Sequence, residues 1–226
     1  MFRIPFQQAV TKAHVSWIRG TFASLAGTST RAGDAYSGTN KYLSGGSRYF
    51  LSTTSDGTYK KVAFIGAGKM AQAMIKPLID TKIQPEDKIA IYDVSTTITN
   101  QVVSEFPQIQ VSQSIEELVT DADLVVCAVK PQNVNEAFYK QFPVEKLQKG
   151  NAKMISILAG IPMKRLIPMG FPKIVRSMPN TPATIGEGMT VWSCTENLTT
   201  EEREDVKSVL CTFGKTVRSV CVCVCV

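Results

Sequence analysis

The sequence has no apolar run near the 18 residues that a membrane-crossing helix needs. Its candidates in the body of the chain, residues 62–65 and 124–129, are strand-sized and bounded by Lys, Gly or Asp. That excludes a membrane role and leads us to expect a soluble protein. Histidine is almost missing, and the single His14 lies far from any chemistry-bearing motif, so it is no catalytic candidate. Six cysteines are present, but none has the spacing of a metal site. Cys127, Cys194 and Cys211 are isolated in apolar surroundings and read as reduced core residues. Cys221, Cys223 and Cys225 alternate with Val and lack the two-residue gap of a zinc knuckle. Acidic residues are scarce only at the start, where residues 1–59 carry six basic side chains against two acidic ones and hold +4 of the formal +6. The remainder, at about +2, lacks a basic stripe with interleaved aromatics, which excludes nucleic acid as a partner.

What is present divides into three parts. The 226 residues, 44% of them hydrophobic, leave room for one well-buried domain and a smaller piece. Residues 1–59 are rich in Ser, Thr, Gly and Arg, and Phe2, Phe6, Val10, Trp17, Ile18 and Leu25 would line one side of a broken helix. Such a segment resembles a mitochondrial targeting sequence, and Arg48-Tyr49-Phe50-Leu51-Ser52 resembles a matrix-protease cleavage site. The alternative is an unstructured extension or a misplaced start, with a cytoplasmic location.

From Lys60 the texture changes to apolar runs alternating with helical patterns, the signature of βαβ units. The pattern predicts strands over 61–65, 88–92, 108–111, 124–129, 153–158 and 173–177. Helices are expected over 69–80, 96–106, 115–120, 133–142 and 163–169. Ser114 with Glu117 and Thr199 with Glu202 form capping boxes. The second opens a helix with Val206, Val209, Leu210 and Phe213 on one stripe, stopped by Gly214 and followed by a strand over 215–220. The expected fold is α/β, a doubly wound, mostly parallel sheet of the Rossmann type over residues 60–220. The closing Cys-Val repeat, 221–226, has the form of a TG-repeat read-through.

The chemistry concentrates at strand ends. Residues 62–71 read strand, Gly66-Ala67-Gly68 turn and helix start, with Ala71 in the third position of a G-x-G-x-x-A motif. Gly66 permits the tight turn and Gly68 lets backbone approach a pyrophosphate at the positive end of the following helix. Asp93, 25 residues beyond Gly68, ends the second strand where a carboxylate would accept hydrogen bonds from an adenosine ribose and repel a 2′-phosphate. Alternatively it caps the helix beginning near Thr96. Ala128-Val129-Lys130-Pro131 and Ala159-Gly160 close later strands in the same crevice. There Lys130 is a phosphate contact or an ordinary solvated lysine, and the small residues leave space for a nicotinamide ring. Met178-Pro179-Asn180-Thr181-Pro182 is a stiffened polar loop in which Asn180 positions a substrate or bonds its own backbone.

Together Phe64-Ile65-Gly66-Ala67-Gly68-Lys69-Met70, Ala128-Val129-Lys130-Pro131, Ala159-Gly160 and Met178-Pro179-Asn180-Thr181-Pro182 resemble pyrroline-5-carboxylate reductases in identity, order and spacing. The resemblance implies cofactor contacts at Ile65, Gly66, Ala67, Gly68, Lys69, Met70, Asp93, Ala128, Val129, Lys130 and Ala159, with NADPH or NADH as cofactor, and a substrate contact at Asn180. It implies reduction of 1-pyrroline-5-carboxylate to L-proline, with positioning and electrostatics as the protein's contribution and no catalytic base. Members of that family continue past the equivalent of Val220 into an all-helical domain that makes them homo-oligomers and holds most of the substrate. The sequence stops where that domain would begin, so cofactor binding is expected to survive better than turnover. Two other readings stand beside it: an inactive NAD(P)-binding module, and a β-hydroxyacid-type dehydrogenase. The latter needs a catalytic Lys on a helix after residue 200, where Lys207 is the candidate.

Overall fold

The computed structural model describes residues 58–219. The expected targeting segment and the Cys-Val tail lie outside them. The first βαβ unit is strand β1 (Val62–Ile65), helix α1 (Lys69–Asp80) and strand β2 (Ile89–Tyr92). Helix α2 (Thr96–Glu105) leads to a two-residue strand β3 (Gln110–Val111), and α3 (Ile115–Thr120) leads to β4 (Leu124–Cys127). Short helices α4 (Glu136–Tyr139) and α5 (Val144–Lys149) precede β5 (Lys153–Ser156), and α6 (Met163–Leu166) precedes β6 (Lys173–Pro179). Strand β7 (Gly188–Cys194), helix α7 (Thr200–Cys211) and strand β8 (Gly214–Arg218) complete the described part.

The eight strands form one sheet in the order β3-β2-β1-β4-β5-β6-β7-β8. All neighbours run parallel except β6 and β7. The central strands β1, β2, β4 and β5 are buried on both faces, as a parallel sheet requires. Val62 and Phe64 of β1 pack with Met74 and Leu78 of α1, Val102 of α2 and Val206, Val209, Leu210 and Phe213 of α7. Ala63 and Ile65, pointing the other way, pack with Leu118 of α3, Phe138 of α4, Leu147 of α5 and Leu166 of α6. Cys127 lies fully buried in this second layer, where burial pushes its thiol up to about 12.

Several expectations shift. The helix expected over 133–142 is broken, because the Asn135 side chain accepts the Phe138 N–H at 3.0 Å and starts a fresh four-residue helix. The helix expected over 163–169 ends its α part at Leu166 and closes as a 3₁₀ turn. β7 and α5 carry no counterpart in the sequence reading. At α3, Ser114 Oγ accepts the Glu117 N–H as expected, but the Glu117 carboxylate takes the Gln113 N–H at 2.8 Å instead of the N-cap's own. The box at Thr199 and Glu202 closes in both directions.

Helix α1 ends on a left-handed residue, Lys82 at φ 59, with the Ile83 N–H reaching back to the Leu78 carbonyl at 3.1 Å. Glycine is the usual occupant of that position because a Cβ there costs about 1 kcal/mol. Lys82 is exposed, so Lys82→Gly is expected to raise the melting temperature by roughly 2–4 °C. A calorimetric scan showing no rise would contradict this.

Candidate functional site

Register sets the site. Ile65 of β1 lies level with Tyr92 of β2 and Cys127 of β4, and Cys127 is level with Ser156 of β5. The residues that follow, Gly66, Asp93, Ala128 and Ile157, therefore leave the sheet side by side at the carboxyl ends of four parallel strands, where open α/β sheets bind ligands. Gly66 has φ 93, and a Cβ on it would stand 2.9 Å from the Ala128 carbonyl carbon and oxygen. Its N–H donates to the Tyr92 carbonyl at 2.7 Å, and the Ala128 N–H donates to the Ile65 carbonyl at 2.8 Å. Gly66 thus lets the turn lie flat against the end of β4. Gly68 is different: a Cβ there would meet nothing within 4 Å, so the space above it is open.

Gly68 is the N-cap of α1 and offers no side-chain cap, and the first turn carries no acid. The N–H groups of Gly68, Lys69, Met70 and Ala71 have no acceptor among the described residues; the first amide of the helix to find one is that of Gln72, which donates to the Gly68 carbonyl at 3.0 Å. Four bare amides at the positive end of a 12-residue helix, under open space, form a cradle for a phosphate-like anion. Ile65 and Ala67 are buried beneath it, and Met70 is half-buried. Lys69 and Lys130 are exposed at its rim with ammonium groups that have no partner among the described residues. The residues present therefore fit a dinucleotide.

Asp93 is half-buried. Its Oδ2 accepts the Ala67 N–H at 2.9 Å and its Oδ1 accepts the Ser95 N–H at 2.9 Å. Ser95, not Asp93, is the N-cap of α2, so the carboxylate joins the glycine turn to the backbone that enters the helix beginning at Thr96. Gln72 Nε2 donates to the Ala67 carbonyl at 2.9 Å. Nothing in the sequence pattern distinguishes this glutamine from any polar helix residue.

Val129 is half-buried beside Lys130, and Ala159 and Gly160 are exposed past the end of β5. Asn180 is exposed just beyond β6, and its Oδ1 accepts the Met189 N–H at 2.8 Å, tying the start of β7 to the Pro-Asn-Thr-Pro loop. It bonds a backbone nine residues away, not its own turn as in the alternative reading. Its amide Nδ2 has no acceptor among the described residues.

The near-neutral charge sum conceals a division. Residues 80–123 hold nine acidic and two basic side chains, and residues 130–176 hold nine basic and two acidic ones. Sheet order places β2 and β3 on one side of β1 and β4, β5 and β6 on the other.

Residues 61–160 match the family described as NADP oxidoreductase, coenzyme F420-dependent. A pyrroline-5-carboxylate reductase of Arabidopsis thaliana is 33% identical over 160 residues, covering 70% of this chain and 56% of that protein. The corresponding reductase of Haemophilus influenzae is 34% identical over 164 residues, covering 70% and 57%. The described domain belongs to the pyrroline-5-carboxylate reductase family. A crystal structure of Plasmodium falciparum pyrroline carboxylate reductase with NADP bound superposes with a TM-score of 0.59 at 26% identity, covering 70% of this chain and 57% of that one. The chain thus spans little more than half the length of the reductases it matches. Lys207, the residue a β-hydroxyacid-type reading depends on, pairs with Glu204 at 2.9 Å. It sits on a helix whose first turn is tied to the starts of β5 and β6, the sheet end opposite the crevice.

Proposed function

We propose that this chain supplies the dinucleotide half of a reductase that passes hydride from NAD(P)H to the C=N carbon of 1-pyrroline-5-carboxylate, giving L-proline. The observation that carries the reading is the row of unpaired amides from Gly68 to Ala71 at the carboxyl ends of β1, β2 and β4. These amides hold the pyrophosphate, Lys69 and Lys130 add positive charge at its rim, and Ala159 and Gly160 leave room for a flat ring. With its Oδ1 fixed on Met189, Asn180 directs its free amide N–H groups to the substrate carboxylate. Most of the remaining grip on the substrate comes from a helical half of the kind the full-length relatives carry, and with it their homo-oligomeric assembly.

The cofactor preferred is NADH. The Asp93 carboxylate stands at the end of β2, and residues 94–97 read Val-Ser-Thr-Thr without a base. A 2′-phosphate there meets repulsion on the order of 1 kcal/mol, about 5-fold in Kd. Titrating the purified chain with NADH and NADPH by fluorescence, and assaying pyrroline-5-carboxylate-dependent loss of NADH, tests all of this. Saturable binding, tighter for NADH, is expected, with turnover only when a helical half is supplied. A folded sample that binds neither nucleotide would sink the reading, and equal affinity for the two would remove the preference.

A further inference from the structure

We infer that Gln72 is a positioning residue for the pyrophosphate, acting with Asp93 as a two-sided clamp on the Ala67 residue of the glycine turn. The inference rests on the dinucleotide reading above and concerns how the turn is aimed.

Two peptide planes meet at Ala67, and each is held by one side chain. The Ala67 N–H, in the plane shared with Gly66, donates to Asp93 Oδ2 at 2.9 Å. The Ala67 carbonyl, in the plane shared with Gly68, accepts from Gln72 Nε2 at 2.9 Å. In a trans peptide the C=O and the following N–H point in opposite directions. Holding the Ala67 oxygen toward Gln72 therefore aims the Gly68 N–H the other way, and that N–H has no acceptor among the described residues. It is the first donor of the cradle. Without the two side chains, glycines on both sides of Ala67 would let these planes rotate at little cost. Clamping them settles the orientation before the ligand arrives, so less ordering remains to be done on binding. The glutamine is itself well anchored, since its own N–H bonds the Gly68 carbonyl at 3.0 Å, one turn of helix from the group it holds.

Gln72→Met keeps the length and helix propensity of the side chain but removes the donor. Gln72→Glu keeps the shape and replaces the donor with an acceptor that repels the Ala67 oxygen. Both are measured against wild type with NADH by fluorescence, and with ADP-ribose and adenosine by displacement of NADH. ADP-ribose carries the pyrophosphate and adenosine does not. Expected is roughly a 10-fold loss for NADH and ADP-ribose in Gln72→Met, a larger loss in Gln72→Glu, and unchanged adenosine affinity in both. A general loosening of the fold would weaken adenosine as well, and that result overturns the inference. So does wild-type affinity for ADP-ribose in both variants. If wild type itself fails to bind NADH, the dinucleotide reading falls first, so the two failures are told apart.

Discussion

Gly68→Ala is expected to leave the protein as stable as before and to weaken NADH binding about 10- to 150-fold, the worth of one hydrogen bond to a charged group. The new methyl meets no protein atom within 4 Å, and Gly68 has an ordinary φ of −68, so folding has nothing to object to. The methyl does occupy the space through which a pyrophosphate reaches the bare amides. Gly66→Ala should behave in the opposite order. There the Cβ would lie 2.9 Å from the Ala128 backbone on a residue at φ 93. Overlap and left-handed strain together cost on the order of 3 kcal/mol before any ligand is considered. Melting curves and NADH titrations of the two variants separate the roles: a stable Gly68→Ala protein that still binds NADH as wild type would show that the pyrophosphate does not sit at this turn.

The second large effect is at the opposite end of the sheet. Glu202 Oε1 lies 2.6 Å from Lys173 Nζ and 3.3 Å from Lys153 Nζ, with the three side chains only 10–15% exposed. Its other oxygen accepts the Thr199 N–H at 3.0 Å and closes the capping box of α7. Glu202→Ala takes the carboxylate from two nearly buried ammonium groups, leaving Lys173 with Asn151 Oδ1 and Lys153 with the Tyr59 ring, and it removes half a cap; the expected cost is about 3 kcal/mol. Burial alone would raise the Glu202 carboxyl, but Lys173, the Thr199 N–H and Lys153 outweigh it and hold it below the usual carboxylate range. A carboxyl depressed in the folded state contributes stability that is complete above its unfolded pKa and is lost as pH falls through the folded one. The gap between wild type and Glu202→Gln should therefore be constant near neutrality and close below about pH 4.5. Denaturant titrations at several pH values would show it, and a gap that widened on acidification would be inconsistent with this carboxylate's role. Asp205, raised by burial, acts with the opposite sign, and because the Glu202 charge is one of the groups that raise it, Glu202→Gln relaxes part of that rise.

The parts of the fold that the sequence made legible are those whose cause is local. Helix α1 follows a glycine turn and α3 follows Ser114, and both occupy the residues that periodicity assigned to them. The strands expected over 124–129 and 153–158 end two residues early, at Cys127 and Ser156. Their apolar run continues, and Ala128 and Ile157 each still donate one N–H to the neighbouring strand, but the pairing ends with them at the crevice. β7 was missed because it begins with glycine and reverses against β6, a pairing fixed by five register partners far from any local signal. The cofactor turn, Asp93 and the end of β4 were legible because each directly follows a strand. What Asp93 and Gln72 do there was not, because sequence spacing does not reveal which atom a side chain's oxygen or nitrogen will face.

The double use of Glu202 also bears on how the domain comes apart. One carboxylate completes the last helix and neutralises two strands whose lysines are 20 residues apart. A partial opening in which α7 peels away would lose its cap and leave that end of the sheet with uncompensated charge in the same step. Fraying of the final βαβ unit is thereby coupled to opening of the parallel sheet, and amide protons of α7 and of β5 should exchange as one cooperative unit.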